Sequence, residues 1–419
     1  MQERQQDHDY SLVAVPQEEK KGFWPMFSIM VGFSFFSASM WAGGTLGTGM
    51  TLPNFLLSVF LGNLILGIYT SALAYIGSGT GLSTHLLARY SFGEKGSYLV
   101  SLLLGGTQVG WYGVGIAMIA IPIHKITGVS LPLLIVLGGI IMTASAYFGI
   151  KTLAIMSYIA VPAITILGSL SVNSAVDSVG GWGAFMEIEP TNQISVITAL
   201  TMVVGSFISG GTTTPDFVRF SKSKKIGVST TVMAFFLGNS LMFGFGAIGA
   251  MATGFADIAD VMFSQGLVAP ALIILGLNMW TTNDNAIYTA GLAFSSMTKI
   301  PKNKVIIVLG AISTVCSLFL YNNFQGFLTS LGTFLPPIGG ILIADYLIHD
   351  KKTRYKNFEN QTFETVNWFA ILAMIIGTAV AIVTPGIPPL NGVFATFVTY
   401  IATMKLFKKT TVRMTQEAA

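Results

Sequence analysis

Charge is scarce in this chain. Only 10% of its 419 residues are Asp, Glu, Lys or Arg, against about a quarter in soluble domains, and that deficit excludes a water-exposed globular surface. Cysteine is scarcer still. Cys316 stands alone, so no disulfide can form within the chain, and its place in an apolar stretch suits a small packing residue. The four histidines, His8, His85, His124 and His349, are too scattered along the sequence for a metal centre or a proton relay. A membrane-embedded hydrolase or oxidase needs nucleophiles, histidines or carboxylates clustered within its spans, and no such cluster stands out. The chain therefore does not read as an enzyme. The first 20 residues are polar and lack an apolar h-region, so the first span is expected to serve as its own insertion signal.

Apolar residues fill the place of the missing charge. Hydrophobic residues make up 52% of the chain and its mean hydropathy is +0.69, as expected of an all-α integral membrane protein. A spanning helix needs about 20 predominantly apolar residues. Twelve stretches qualify: 25–49, 53–77, 97–123, 130–148, 152–172, 195–219, 226–252, 262–296, 303–320, 324–348, 366–384 and 388–406. With both termini on the cytoplasmic side, all of the 22 Lys and Arg except Lys125 fall inside, as the positive-inside rule requires. A miscount of one span would throw every later cluster to the wrong face. The net charge of +4 thus reports orientation in a bilayer and not an affinity for nucleic acid. The expected organisation is a cytoplasmic tail 1–24, a ten-helix core 25–348, a cytoplasmic loop 349–365, two further helices in 366–406 and a second tail 407–419. A short interfacial helix is expected between Thr80 and Ser97, and no obligatory protein partner is inferred.

Two echoes suggest an internal repeat. Gly43-Gly44-Thr45 in span one recurs as Gly210-Gly211-Thr212 in span six, and Phe60-Leu61-Gly62-Asn63 in span two recurs as Phe236-Leu237-Gly238-Asn239 in span seven. An offset of five spans inverts the second half relative to the first, the pattern of carriers whose interrupted helices expose backbone at the membrane midplane. A third copy, Gly105-Gly106-Thr107, fits no such pairing. Breaks are expected at 43–49 and 210–215, where glycine frees the backbone and Pro215 removes a donor. Close helix packing on small residues is the alternative reading, and it is preferred for Gly62 and Gly67.

Span eight carries the most polar run in the membrane region, residues 278–285. Asn278, Thr281, Thr282 and Asn285 recur at helical spacing and line one stripe. Hydroxyls and carbonyls without formal charge suit a hard monovalent cation, although each threonine can instead bond back to the carbonyl four residues earlier. Asp284, the best-placed ionisable residue within a span, faces substrate, braces span one or exchanges a proton. Asp216, three residues before Arg219, suits a local pair. In span three Gln108 and Trp111 share a face, so an amide and an indole could read a flat heteroaromatic ligand; Phe207, beside Ser206, could supply the opposite wall. Packing of Trp111 against lipid or a neighbouring span is the competing reading.

The chain resembles the nucleobase-cation symporter family over almost all of residues 22–348. The resemblance rests on FFSASMWAGGTLGTG at 35–49, THLLARYSFG at 84–93, GGTQVGWYG at 105–113, GSFISGGT at 205–212, DFVRF at 216–220, LNMWTTNDN at 277–285 and PPIGGILIADY at 336–346. It implies a leucine-transporter-like fold of two inverted five-helix repeats plus two C-terminal helices, with uptake by alternating access in a bacterial cytoplasmic membrane. It also implies residues. Trp111 and Phe207 would sandwich a nucleobase, with cytosine as the expected substrate; Gln108, Ser206, Gly210 and Asn283 or Asp284 would hydrogen-bond it. Carbonyls of Gly32, Phe35 and Asn278 with Thr281 and Thr282 would hold Na+ as coupling ion. Phe207 stands where relatives often have a second Trp, which favours a smaller ring over a bulky hydantoin. Proton coupling, another heterocycle such as uracil, a purine or allantoin, and a solute-sensing receptor or channel are the alternatives.

Overall fold

Lipid offers backbone N–H and C=O groups no partner, so long apolar runs satisfy them within helices. The computed structural model describes residues 9–190, 193–323, 331, 333–349, 354–355 and 358–417, and among these the only extended pairing is a single bridge between Lys21 and Ser221. Arg4, His8, Lys351, Lys352 and Lys356 lie outside the described residues, as does most of 324–332.

The first half comprises α1 (Phe23–Ser34), α2 (Ser37–Gly49), α3 (Leu52–Thr80), α4 (Thr84–Phe92), α5 (Gly96–Thr127), α6 (Leu131–Tyr147) and α7 (Ile150–Ser178). After the short α8 (Trp182–Met186) come α9 (Val196–Thr212), α10 (Thr214–Val218), α11 (Lys224–Met233), α12 (Ser240–Thr253) and α13 (Ile258–Ser264). The long α14 (Val268–Thr298) and α15 (Lys302–Asn322) follow, then α16 (Pro336–Ile348), α17 (Trp368–Val383) and α18 (Pro388–Glu417). Six helical stretches are long and apolar enough to cross a membrane, and α1 with α2 forms a seventh that bends by 50°. Ile140, Ile159, Ile166 and Val315 remain exposed on α6, α7 and α15, as lipid-facing side chains should. The stretch between Thr80 and Ser97 does hold a short helix, α4, whose nine residues are all buried.

Span one breaks elsewhere than the glycines suggested. Its interruption lies at Phe35-Phe36, between α1 and α2, whereas Gly43 and Gly44 sit inside α2. Their purpose is proximity. A Cβ at Gly43 would collide with the backbone of Phe243, one at Gly44 with that of Ala256, and one at Gly246 with the Met40 carbonyl. The small residues thus let α2 and α12 pack backbone to backbone. Span six is interrupted where expected, at Thr213 between α9 and α10. There Thr213 and Thr214 hydroxyls each donate to the carbonyl three residues earlier, on Gly210 and Gly211, at 2.7 Å.

Span seven contains a π-helical turn, Ala234–Asn239, between α11 and α12. This turn holds the second Phe-Leu-Gly-Asn copy, whereas the first lies in uninterrupted α3. A Cβ at Gly62 would overlap Val203 and one at Gly67 would meet the Phe236 ring at 3.3 Å, so both serve contacts between helices.

The N-terminal segment is folded onto the bundle. Asp9 meets the buried Lys302 amine at 2.6 Å, and Val15 donates its N–H to the Gly81 carbonyl at 3.0 Å. The expected Asp216 and Arg219 pair is a correction. Arg219 Nε donates to the Asp216 backbone carbonyl at 3.1 Å, and its other nitrogens donate to the Asp9 and Tyr10 carbonyls and the Tyr288 hydroxyl. The Asp216 carboxylate instead accepts the Thr84 N–H at 2.7 Å, at the start of α4. Three residues apart at a helix end, the two side chains diverge to different partners.

Candidate functional site

The Phe35-Phe36 interruption organises the centre of the bundle. Phe35 closes α1 by donating its N–H to Val31, and Phe36 adopts an extended conformation before α2 begins. No glycine or proline forces this; tertiary contacts do. The Phe35 carbonyl accepts from the Asn278 side-chain amide at 2.9 Å and from the Thr282 hydroxyl at 3.3 Å. Ser37, the first residue of α2, donates to the other end of the Asn278 amide. Asn278 therefore bridges both sides of the break and compensates for the backbone bonds lost there.

Four of the five residues expected around the cation meet here. Thr281 donates to the carbonyls of Leu277 and Asn278, both at 3.0 Å, so this threonine bonds back into its own helix. Thr282 does not; it reaches across to Phe35. Gly32 lies in the last turn of α1, next to the Val31 carbonyl that the Phe35 N–H and the Ser34 hydroxyl share, and a Cβ at Gly32 would overlap Ser157 of α7. The donor set is oxygen throughout and carries no formal charge. That chemistry fits a hard monovalent cation, and the negative end of the α1 dipole adds to it.

A cavity opens immediately beside this cluster. It is lined by Gln108 and Trp111 of α5, by Ser206, Phe207 and Gly210 of α9, by Phe33 and Phe36 at the break and by Thr282 and Asn285 of α14. The Trp111 and Phe207 rings stand near-perpendicular to Phe36, at interplanar angles of 74° and 88° and centroid distances of 4.8 and 5.6 Å. That arrangement allows indole and phenyl to face each other across the cavity. Phe33 and Phe235 support Phe207 edge-on at 5.0 and 4.9 Å. Gln108 and Asn285 are buried, and neither amide is hydrogen-bonded to another described residue. Ser206 donates to the Val203 carbonyl at 2.9 Å. Gly210 keeps the wall thin, since a Cβ there would only touch Phe207 and Phe33 at 3.5 and 3.6 Å.

Two expected residues lie outside the cavity. Asn283 points to α5 and α6, donating to the Tyr112 carbonyl at 3.2 Å and lying against Met142. Asp284 accepts from Ser145 of α6 at 2.6 Å, and Ser145 in turn accepts the Trp280 indole N–H at 2.9 Å. Each residue advances about 100° around the helix, so 283 and 284 turn away from the face that carries Thr282 and Asn285. The polar residue of α14 that does line the cavity is Asn285, which the helical stripe contained. Phe33 and Phe36 were not foreseen, because their joint presentation depends on the break between them.

This constellation defines a class: a helical carrier whose interrupted spans gather backbone carbonyls, hydroxyls and an aromatic cavity at the middle of the bundle. Residues 14–405 match the family described as permeases for cytosine/purines, uracil, thiamine and allantoin, and the chain belongs to it. It is 52% identical to the cytosine permease of Escherichia coli strain K12, over 99% of both chains. It is 26% identical to the hydantoin permease of Microbacterium maritypicum, over 79% of this chain and 75% of that one. Among solved structures it superposes on Mhp1, a nucleobase-cation-symport-1 family transporter in a closed conformation with bromovinylhydantoin bound, with a TM-score of 0.83 at 21% identity over 95% of each chain. A Na+-coupled sialic acid symporter gives 0.74 at 14% identity, over 96% of this chain and 93% of that one. The protein is a secondary transporter with the leucine-transporter-like fold, and not an enzyme.

Proposed function

We propose that this transporter carries cytosine into the cell together with Na+, across a bacterial cytoplasmic membrane and with its basic face inside. The reading is carried by one relationship: Phe35 and Phe36, consecutive at the break, serve the oxygen cluster with a carbonyl and the aromatic cavity with a ring. Thr282 also belongs to both. Substrate and cation would thus be bound by one joint between span one and span eight.

A pyrimidine would lie between Trp111 and Phe207, where stacking contributes on the order of 1–3 kcal/mol per base. Gln108 and Asn285 present amides able to donate and accept along its edge, with Ser206 and the Gly210 backbone at the adjoining wall. Na+ would be held by the Phe35, Gly32 and Asn278 carbonyls and the Thr282 hydroxyl, with Thr281 after its hydroxyl turns from its own helix. Drawing Phe35 toward Thr282 fixes Phe36 and so shapes the cavity. Linkage then requires each ligand to raise the other's affinity by the same factor. A charge entering through about 100 mV gains about 2.3 kcal/mol, which supports roughly fifty-fold accumulation.

Uptake of labelled cytosine into proteoliposomes, at imposed Na+ or pH gradients, tests this. Accumulation that follows the Na+ gradient and is competed by unlabelled cytosine is the expected result. Accumulation that ignores Na+ and follows pH would remove the cation assignment and transfer coupling to the buried Asp284. Stronger competition by uracil, a purine or allantoin would reassign the substrate.

A further inference from the structure

The N-terminal segment 9–22 runs across the basic end of the bundle, the end read as cytoplasmic, and it is bonded to two bodies. Among the described residues α5, α6, α14 and α15 pack on one another, as do α3, α9, α10 and α11, while the two sets scarcely touch. The central cavity lies between them, walled by α5 and α14 on one side and by α9 on the other. A carrier that releases its substrate inward must part these bodies at the basic end. The segment stands in the way.

Its attachments to the two bodies differ in kind. To α3 and the end of span six it is tied through its backbone: the Val15 N–H donates to the Gly81 carbonyl at 3.0 Å, the Lys21 N–H to Phe220 at 2.5 Å, and the Lys222 N–H returns to Lys21 at 2.9 Å. Arg219 adds bonds to the Asp9 and Tyr10 carbonyls at 2.7 and 2.8 Å. To the other body it is tied by side chains. Asp9 meets Lys302, the first residue of α15, at 2.6 Å, and the Ser295 hydroxyl of α14 donates to Ser11 at 3.2 Å. Lys302 is fully buried, with its amine over the Tyr288 ring at 4.5 Å, and a buried charge stripped of its partner is costly unless water reaches it. Asp9 is seated as closely, since a Cβ at Gly149 would collide with its carboxylate. The pair therefore parts when water enters the inner end, and until then it holds that end shut.

We propose that the segment 9–22 is an inner strap that rides with spans two and six and must release Lys302 and Ser295 before substrate leaves toward the cytoplasm. The strap rests on the orientation with the basic face inside. It depends on neither the identity of the solute nor that of the coupling ion.

A disulfide across Ser11 and Ser295 tests the strap in proteoliposomes of the full chain. Cys316→Ser removes the native thiol, and Ser11→Cys with Ser295→Cys then places one thiol on each body. Reduced, this variant should take up labelled cytosine as the Cys316→Ser protein does; oxidised, it should lose at least about tenfold of that rate, and dithiothreitol should restore it. A second arm needs neither cytosine nor Na+. Ser11 is 1% exposed in its seat, so maleimide should label Ser11→Cys slowly, and adding Asp9→Asn should speed labelling by at least about tenfold. Should Cys316→Ser itself take up no cytosine, the nucleobase reading is at fault and the labelling arm decides for the strap. The proposal is overturned if the cross-linked protein transports at the reduced rate, if the two thiols fail to join, or if Ser11→Cys is labelled equally fast with and without Asp9→Asn.

Discussion

The Asn239 side-chain amide donates to the Asn63 side-chain oxygen at 2.7 Å. These are the final residues of the two Phe-Leu-Gly-Asn copies, and their leading residues also meet, Phe60 against Phe236 at 5.9 Å between ring centroids. The repeated motif pairs with itself, as positions near an axis relating two inverted halves must. Ser39 extends the chain of bonds to Asn239 at 2.6 Å, and Asn63 passes it to Ser240 at 2.9 Å. Span one is thereby tied to spans two and seven in the apolar interior.

Removing one amide from this buried chain strands its neighbours. Asn239→Ala should lower stability by about 1–3 kcal/mol, read as a fall in Tm of the purified protein. A double-mutant cycle with Asn63→Ala should return a coupling of about 0.5–3 kcal/mol; strict additivity would mean that the two amides do not support each other.

Trp111→Ala removes one wall of the aromatic cavity. Cytosine affinity should fall at least tenfold, consistent with about 1–3 kcal/mol of stacking, while Na+ binding in the absence of substrate changes little. Equilibrium binding of labelled cytosine reads this directly, and an unchanged Kd would place the indole outside the substrate path.

The two threonines should separate. Thr282 reaches Phe35 across the break, whereas Thr281 bonds into its own helix. Thr282→Ala should therefore raise the Na+ concentration for half-maximal uptake more than Thr281→Ala does, and it should also weaken cytosine binding. Equal Na+ curves for Thr282→Ala and the native protein would falsify the oxygen cluster as the coupling site.

Asp284→Asn preserves an acceptor for Ser145 and leaves the cavity wall untouched. Cytosine affinity should stay within about twofold, a change below 0.5 kcal/mol. A loss beyond tenfold would return Asp284 to the substrate, and a loss of coupling alone would mark it as a proton carrier.

Gly43 has no room for a side chain beside the Phe243 backbone. Gly43→Val should cost about 1–3 kcal/mol through overpacking, lowering the yield of folded protein in size-exclusion chromatography. The same change at Gly106, where a Cβ would meet nothing within 4 Å, should be borne with little loss. Equal yields from the two variants would mean that α2 and α12 do not depend on close approach.

Much of this architecture is written in the order of residues. Apolar runs of spanning length and echoes five spans apart are local or periodic, and a bilayer converts such runs directly into helices. Trp111 with Gln108, and Ser206 with Phe207 and Gly210, were legible for the same reason: each group shares one helix face, and both faces line the one cavity. The break in span one was not. Glycine marks where a backbone can bend, but Gly43 and Gly44 are used for contact with α12, while the chain opens at two phenylalanines. Only the assembled bundle brings Asn278 and Thr282, more than 240 positions away, to the Phe35 carbonyl and compensates for an unwound turn there. Helical phase likewise decided that Asn285 lines the cavity while Asn283 and Asp284 turn to α5 and α6. Sequence alone determined that this is an inverted pair of helical repeats in a membrane. Where the repeat opens, and which side chains meet there, rests on bonds between residues far apart in the chain, which no local pattern encodes.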